Sequence, residues 1–325
     1  MNKFKKIGLS ALAGSLVATS AFAGEMSVSG GASIGVSHTN GNAADGGKSF
    51  TMGNQLTFTG GGELDNGLNV ALSFVLDQND DSATASYGTK NSNAGTPFDS
   101  HSVTISSDTL GSIKFSGEGG SSAVTAMDGT AAGDIWDEFD SSTANITPTG
   151  VGGSDNMIMY TLPAMVDGVA INLSYTPRAT GADATTAWNA TYSGVEGLSA
   201  SIAMGDGSAE NTDGTAYQLS YAFGPITAAY HNYEFSGATA ATSDDTSSYA
   251  VTYTVSDELS ITYGTETIES GTSGDQDAEY NKLSAAYTSG GMTVSAQIAQ
   301  AENIDHSTNA NADLDYWGLG LAFAF

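Results

Sequence analysis

The chain has 325 residues and a formal net charge of −28 at pH 7, because 36 acidic residues outnumber 8 basic ones. So acidic a chain repels nucleic acid and anionic membrane surfaces. It contains no cysteine, so no disulfide holds the fold, and 41 glycines against 5 prolines are typical of short strands joined by tight turns. A hydrophobic fraction of 40% argues against disorder.

Residues 1–23 have the features of a secretory signal peptide. Lys3, Lys5 and Lys6 precede an apolar run, and Ala21-Phe22-Ala23 is an A-x-A cleavage site. A membrane anchor is the alternative, but the apolar run is short and small residues follow it. We expect export, cleavage after Ala23 and a single domain over residues 24–325. The basic residues of that domain are Lys48, Lys90, Lys114, Arg178 and Lys282.

The chain after the signal alternates between apolar and small polar residues with the period of two that a β-strand requires. The first strand runs near Met26 to Ser37, and a polar insertion is expected at 38–51. The turn Glu63-Leu64-Asp65-Asn66-Gly67 then carries Asn-Gly, a strong hairpin signal. No segment after residue 23 offers about eighteen consecutive apolar residues, which excludes transmembrane helices.

The third insertion, 119–153, is the longest and differs from the others in composition. It contains Gly133-Asp134-Ile135-Trp136-Asp137-Glu138-Phe139-Asp140. A free surface loop has little reason to hold Ile135, Trp136 and Phe139 together, and structureless loops of this length are usually functional or disordered. We expect the apolar residues to pin the loop to a wall.

Short turns and longer polar insertions alternate along the whole chain. Seven tight turns are expected at 65–67, 107–111, 163–168, 194–197, 224–225, 256–258 and 289–291. Eight insertions are expected at 38–51, 79–99, 119–153, 179–185, 206–213, 236–246, 269–277 and 301–312. These connections join sixteen strands, and their asymmetry is typical of an antiparallel transmembrane β-barrel with an aqueous lumen.

Aromatic residues on the apolar faces gather near the short turns, which predicts an interfacial girdle. The expected members are Tyr160, Tyr192, Tyr221, Phe223, Tyr253, Tyr287 and Phe325. In a soluble β-sandwich, aromatic side chains gather instead in the middle of strands. A sandwich also has one polar face, so alternation alone does not separate the two architectures.

The last strand, Asp313 to Phe325, has one continuously apolar face and one small face. The apolar face comprises Trp317, Leu319, Leu321, Phe323 and Phe325. We expect this strand to pair with the first one, which removes both sheet edges. A terminal Phe after alternating apolar residues resembles the signal that the barrel-assembly machinery reads in outer-membrane proteins.

Several segments together resemble the general diffusion porins of Gram-negative bacteria. They are the E-L-D-N-G-L turn from Glu63, the L-G-S-I-K-F strand from Leu110, the long third insertion and the N-M-I-M-Y-T strand from Asn156. The resemblance covers essentially Gly24 to Phe325. It implies a trimer in the outer membrane, passage of small hydrophilic solutes, and a third loop that bends into the lumen to form a constriction.

The resemblance also implies basic wall residues opposite acidic residues of the third loop. The matching bases are Lys114, Arg178 and Lys282. The matching acids are Glu118, Asp128, Asp134, Asp137, Glu138 and Asp140. Opposed charges of this kind create a transverse field in the passage. Because acids outnumber bases, we expect the pore to favour cations.

Other chemistry has weaker support in the sequence. Asp77, Asn79 and Asp81 are candidate Ca²⁺ ligands, although they do not match a complete calcium-loop spacing, and we expect no other cofactor. The four histidines lack a nucleophile-elbow or metal-binding spacing, so an enzyme is not expected. Two alternatives stay open: a substrate-selective channel that uses Tyr233 or Trp136 as a stacking track, and an adhesin without a pore.

Overall fold

The computed structural model describes residues 26–40, 47–77, 99–139, 148, 150–151, 155–178, 183–304, 306 and 313–325. The predicted signal peptide, 1–23, lies outside these residues.

Sixteen strands are present in the described part of the chain. They are β1 Met26–Asn40, β2 Gly47–Glu63, β3 Asn69–Asp77, β4 Ser100–Ser107, β5 Gly111–Glu118, β6 Met157–Thr161, β7 Val169–Thr176, β8 Thr185–Tyr192, β9 Leu198–Asp206, β10 Asp213–Phe223, β11 Ile226–Ser236, β12 Asp244–Thr254, β13 Leu259–Ser270, β14 Ala278–Ser289, β15 Met292–Glu302 and β16 Leu314–Ala324.

The sheet closes on itself. Every strand pairs antiparallel with its neighbours in sequence, and β1 pairs with β16 from Gly31 opposite Ala324 to Asn40 opposite Asp315. Phe325 extends this seam, because its N–H donates to the Gly30 carbonyl at 3.0 Å and its carbonyl accepts from the Gly30 N–H at 2.7 Å. Closure leaves no unpaired sheet edge. The predicted sixteen-stranded antiparallel barrel is confirmed.

Short and long connections lie at opposite ends of the barrel, as predicted from the spacing of turns. At the turn between β2 and β3, Gly67 adopts φ 80°, a left-handed conformation that glycine tolerates, and its N–H donates to the Leu64 carbonyl at 2.9 Å.

The predicted insertion 38–51 is longer than the connection that the structure shows between β1 and β2. His38 pairs with Lys48 and Val36 with Phe50, because strand ends outside the apolar band pair through their backbones whatever their side chains.

The two faces of the sheet differ in chemistry. Large apolar side chains stand exposed on the outside, for example Ile34, Leu219 and Leu319. The inner face carries mainly Ser, Thr, Asn, Gln, Ala and Gly. In the described residues, the apolar clusters of buried side chains lie between the inner wall and the loop that connects β5 to β6. Because the large apolar side chains face outward, the inner wall packs mainly against that loop.

Among the described residues, no helix has the length and hydrophobicity needed to cross a membrane. The helical elements there are 3-10 helices at Thr125–Met127, Ile135–Phe139 and Ala240–Thr242. The first two belong to the connection between β5 and β6, residues 119–156, which we call loop 3.

Candidate functional site

Loop 3 enters the barrel and follows the inner wall from β7 round to β16. Wall side chains on nearly every strand from β7 to β16 contact the loop through hydrogen bonds or ring contacts. The contacting wall residues are Ser174, Asn189, Gln218, His231, Tyr233, Ser248, Glu266, Lys282, Gln297 and Tyr316. The alternation of each strand brings one such residue inward at the right height.

The first part of loop 3 is held at Ala123. The Ser174 hydroxyl accepts from the Ala123 N–H at 2.9 Å, and the Asn189 side chain donates to the Ala123 carbonyl at 2.7 Å. Both backbone groups of this buried residue are therefore satisfied by the wall. Val124 and Met127 pack beside them against small wall residues, including Ala187, Ala203 and Ala216.

The next turn of loop 3 is fastened by two neighbouring strands. The His231 ring lies 2.9 Å from the Gly129 carbonyl through Nδ1, and the Ser248 hydroxyl accepts from the Ala131 N–H at 2.8 Å. Hydrogen bonds to backbone groups fix the position of the chain rather than of one side chain. The wall thus sets the course of the loop between its two 3-10 helices.

Glu266 on β13 joins two separate points of loop 3. Its side chain is buried, with the residue 1% exposed, and one carboxylate oxygen accepts from the Thr130 hydroxyl. The other oxygen accepts from the Trp136 N–H at 3.2 Å. A buried carboxylate is costly unless it is hydrogen-bonded, so these contacts stabilise both the acid and the loop.

The second 3-10 helix, Ile135–Phe139, anchors the tip of loop 3. Ile135 and Phe139 are fully buried against the wall, where the Phe139 ring lies 5.9 Å from that of Tyr280 and 6.0 Å from that of Tyr316. Trp136 packs at the margin of the same cluster. The prediction that this apolar group pins the loop to a wall is confirmed.

The carboxylate of Glu138 points to β14 and β15. It accepts from the Gln297 side chain at 2.7 Å and lies 3.8 Å from the Lys282 ammonium, which also donates to the Gly133 carbonyl at 3.0 Å. Lys282 was expected to face the acids of loop 3 across the passage. That expectation is corrected, because β14 belongs to the arc that loop 3 covers and Lys282 binds the loop directly.

The other predicted loop acids have different surroundings. Asp134, at φ 46°, accepts from the Thr130 N–H at 2.9 Å and so shapes the loop itself. Burial, together with the nearby charge of Asp134, raises the pKa of the Asp128 carboxyl to about 6. Asp137 is exposed, and Glu118 ends β5 partly buried. Asp140 lies outside the described residues.

Of the other two predicted bases, only Lys114 lies on the inner wall. It pairs with Thr104 and Met159 on the inner face of β5 and is exposed. Arg178 lies beyond the end of β7, where its exposed guanidinium is 3.7 Å from Asp183. The strand alternation that was expected to direct Arg178 inward does not reach it, because β7 ends at Thr176, and its role in the constriction stays a prediction.

The predicted girdle residues lie where the short turns meet the strands. Tyr192, Tyr221, Phe223, Tyr253 and Tyr287 are exposed on the outer face, and the Tyr160 hydroxyl donates to the Leu110 carbonyl at 2.8 Å. On β16, Trp317, Leu319, Leu321 and Phe323 share the outer face, and Phe325 is exposed beyond the strand. Their roles at a membrane interface and in assembly stay predictions.

Tyr233 does not line a free track. It is 2% exposed, because the end of loop 3 covers it, and its hydroxyl accepts from the Val151 N–H at 2.9 Å. The stacking role considered for Tyr233 is therefore wrong. The calcium site stays a prediction, since Asn79 and Asp81 lie outside the described residues.

Most of the wall residues that hold loop 3 were missed by sequence reasoning; Lys282 and Tyr233 had been named, but for other roles. Glu266, Gln297 and Ser248 look like any inward polar position of a barrel strand. Glu266 alone offered a signal, because a lone acid amid the inward positions of β13 needs a partner. Nothing in the sequence pairs it with Thr130.

Comparison with known proteins supports the geometry. A family model described as Gram-negative porin matches residues 8–325. Among curated proteins, no sequence matches significantly. Among solved structures, an anion-selective porin from Comamonas acidovorans is similar, with TM-score 0.67 and 17% identity over 93% of this chain and 99% of that one.

Two further solved structures share the fold. A substituted form of the Rh. blastica porin gives TM-score 0.66 at 16% identity, over 93% of this chain and 100% of that one. A porin refined at 1.8 Å gives TM-score 0.65 at 18% identity, with the same coverages. These likenesses support the fold, and the family model covers nearly the whole chain. The chain belongs to the Gram-negative porin family and is a protein of the outer membrane.

Proposed function

We propose that the protein is a passive diffusion channel for small hydrophilic solutes and ions, and that it favours cations. The observation that carries the proposal is the course of loop 3. The loop covers the wall from β7 to β16, so the open part of the lumen lies against β1 to β5. The inner positions there include Ser33, Thr51, Thr57 and Ser102, which suit hydrated solutes.

The balance of charges on loop 3 and the open wall supports a cation preference. Lys282 is 3.8 Å from Glu138, and that pair has no net charge. Lys114 is the base on the inner face of β5, whereas Asp77, Asp134 and Asp137 contribute negative charge. An anion-selective porin has the same fold, so side chains rather than architecture set the preference.

A homotrimer is part of the proposal. In the described residues of β1 to β5, neither tyrosine nor tryptophan occurs, whereas β6 to β16 carry all the described tyrosines. Tyrosine and tryptophan favour the boundary between lipid and water. A face without them suits contact with another protein, and small apolar residues such as Ala32 would allow close packing.

Recordings in planar bilayers test the channel and its preference. With a salt gradient across the membrane, we expect stable conductance steps and a reversal potential of the sign that cation permeation produces. A reversal potential of the opposite sign would refute the cation preference and leave the channel intact. Absence of any conductance from correctly folded protein would refute the channel itself.

The pH dependence of the reversal potential tests whether loop 3 is the source of the proposed preference. Asp128 is neutral below its pKa of about 6 and charged above it, so cation preference is expected to increase as the pH rises through about 6. The variant Asp128→Asn should lose this pH-dependent increase in cation preference, which we call the step. The control Asp137→Asn should lower the preference at every pH above the ordinary carboxyl range and leave the step in place.

A further inference from the structure

A cavity of about 290 Å³ lies between the tip of loop 3 and the seam of the barrel. Its lining comes from β1, β2, β15, β16 and the loop, and includes Ser37, Thr51, Glu138, Ser295, Gln297 and Tyr316. The volume is close to the lower limit of small-molecule pockets, roughly 300 Å³. Its hydroxyl-bearing strand residues are inner-face positions, so the cavity belongs to the interior of the barrel.

The cavity is rich in hydroxyl groups and electrically balanced. Ser37, Thr51, Ser295 and Tyr316 carry hydroxyls, each of which donates and accepts. Glu138 is the charged residue of the lining, and Lys282 lies 3.8 Å from its carboxylate. An ion entering the cavity would meet no net charge of the opposite sign. The desolvation cost of entering the cavity is lower for a neutral solute than for an ion.

The polar groups around Glu138 are held in place before any solute arrives. Gln297 donates to Glu138 at 2.7 Å and lies 3.5 Å from the Tyr316 hydroxyl, which also interacts with Glu138 and Ser37. Ser37 lies 2.9 Å from the Ser49 hydroxyl. Preorganised groups of this kind reduce the ordering cost of binding.

Glycines provide the floor of the cavity. A Cβ added at Gly320 would lie 2.5 Å from the Ser295 hydroxyl, and one at Gly35 would meet the Thr51 hydroxyl. Larger residues at these positions would therefore fill the space beside both hydroxyls. The absence of side chains there keeps the cavity open.

We propose that this cavity is a subsite for a neutral polyhydroxylated solute of monosaccharide size. The hydroxyls of such a solute match a lining whose own groups both donate and accept. The inference rests on the proposed channel function, since the solute would bind on its way through the lumen.

Glucose is the probe, and ion current through single channels is the readout. In wild type, we expect glucose to lower the current in a saturable manner, beyond the fall that the lower conductivity of the solution explains. A polyether of similar size has no hydroxyl donors along its chain and is expected to lower the current only in proportion to solution conductivity.

Two variants test the lining, and a third serves as a matched control. Ser295→Ala removes one hydroxyl, and Gly35→Ala fills the floor; each is expected to weaken glucose block about fivefold, the effect of one lost hydrogen bond. Gly31→Ala makes the same change on the same strand, but its nearest contacts would be 3.7 and 3.8 Å away, outside the cavity. This control should behave like wild type.

The outcomes separate the subsite from the channel. Conducting channels with no saturable glucose effect, or with equal block in all variants, would overturn the subsite while the channel stands. Equal block by the polyether would show occlusion by size and would also overturn it. If Gly35→Ala does not fold, Ser295→Ala decides the question alone. Folded protein without conductance would refute both proposals.

Discussion

Glu266 places an ionisable group where almost no water reaches it. Removing a carboxylate from water costs several kcal/mol unless hydrogen bonds replace the lost hydration. Here the Thr130 hydroxyl and the Trp136 N–H replace it, and they come from both sides of the turn at Gly133 and Asp134. The Thr130 hydroxyl also accepts from the Asp134 N–H at 2.6 Å. One wall residue thus fixes the shape of the turn as well as its position.

The variant Glu266→Ala should release this turn of loop 3. We expect single-channel currents to fluctuate between levels, and the free energy of unfolding to fall by about 1–3 kcal/mol, the cost of unsatisfied buried partners. Glu266→Gln keeps an accepting oxygen and should fluctuate less. Glu258→Ala, at the exposed turn before β13, is the control and should record like wild type. Steady currents from Glu266→Ala would contradict the assigned role.

Loop 3 and the wall are complementary in shape as well as in hydrogen bonding. Ala132 lies against Gly264 of β13, where an added Cβ would overlap the Ala132 Cβ and lie 3.1 Å from its Cα. Small wall residues such as Ala250 continue this surface. The side chains of the inner face are therefore small or polar for two reasons. On one side of the lumen they line the passage, and on the other side they leave room for loop 3.

Substitution Gly264→Ala should push loop 3 away from the wall. Overpacking of this kind typically costs about 1–3 kcal/mol. Because the displaced loop moves toward the barrel axis, we expect a lower but steady conductance, unlike the fluctuating current of Glu266→Ala. Gly31→Ala again serves as the control, since its added Cβ has ordinary contacts. Unchanged conductance in folded Gly264→Ala would show that the loop is not packed as described.

The barrel as a whole has two unlike halves. Strands β7 to β16 are braced from inside by loop 3, whereas β1 to β5 face the open lumen. The described tyrosines are confined to β6 to β16, and the first five strands present mainly aliphatic, Met and Phe side chains outward. The half that is not braced from within is the half proposed to contact neighbouring subunits. Contact between subunits at β1 to β5 would support the strands that loop 3 does not pack against.

Denaturing gels without heating test the assembly. We expect wild type to migrate as a trimer that heating converts to a monomer. Ala32→Trp, on the outer face of β1, should dissociate the trimer because a large ring separates the packed surfaces. Ala228→Trp, on the outer face of β11, should not, because tryptophan is compatible with lipid. A monomer in unheated wild-type samples, or trimers in both variants, would refute a trimer contact at β1.

Much of the barrel was predictable because strand alternation and turn chemistry are local. The period of two, the Asn-Gly turn at Gly67 and the alternation of short and long connections determined the sixteen strands and their two faces. The apolar group Ile135, Trp136 and Phe139 likewise indicated that loop 3 docks on a wall. Even so, the strand ends at His38 and Thr51 were misplaced, because backbone pairing continues past the apolar band.

The sequence by itself therefore determined which side chains face inward and which loop enters the lumen. Only the tertiary structure decided which residues are in contact: Glu266 with Thr130, Lys282 with Glu138, and Arg178 with Asp183 beyond the end of β7. The physical reason is that alternation specifies the direction of a side chain, but not its height on a tilted strand or the course of a loop that crosses many strands. The height and the course of the loop depend on contacts between residues far apart in the sequence, such as Glu266 with Thr130, which no local pattern records.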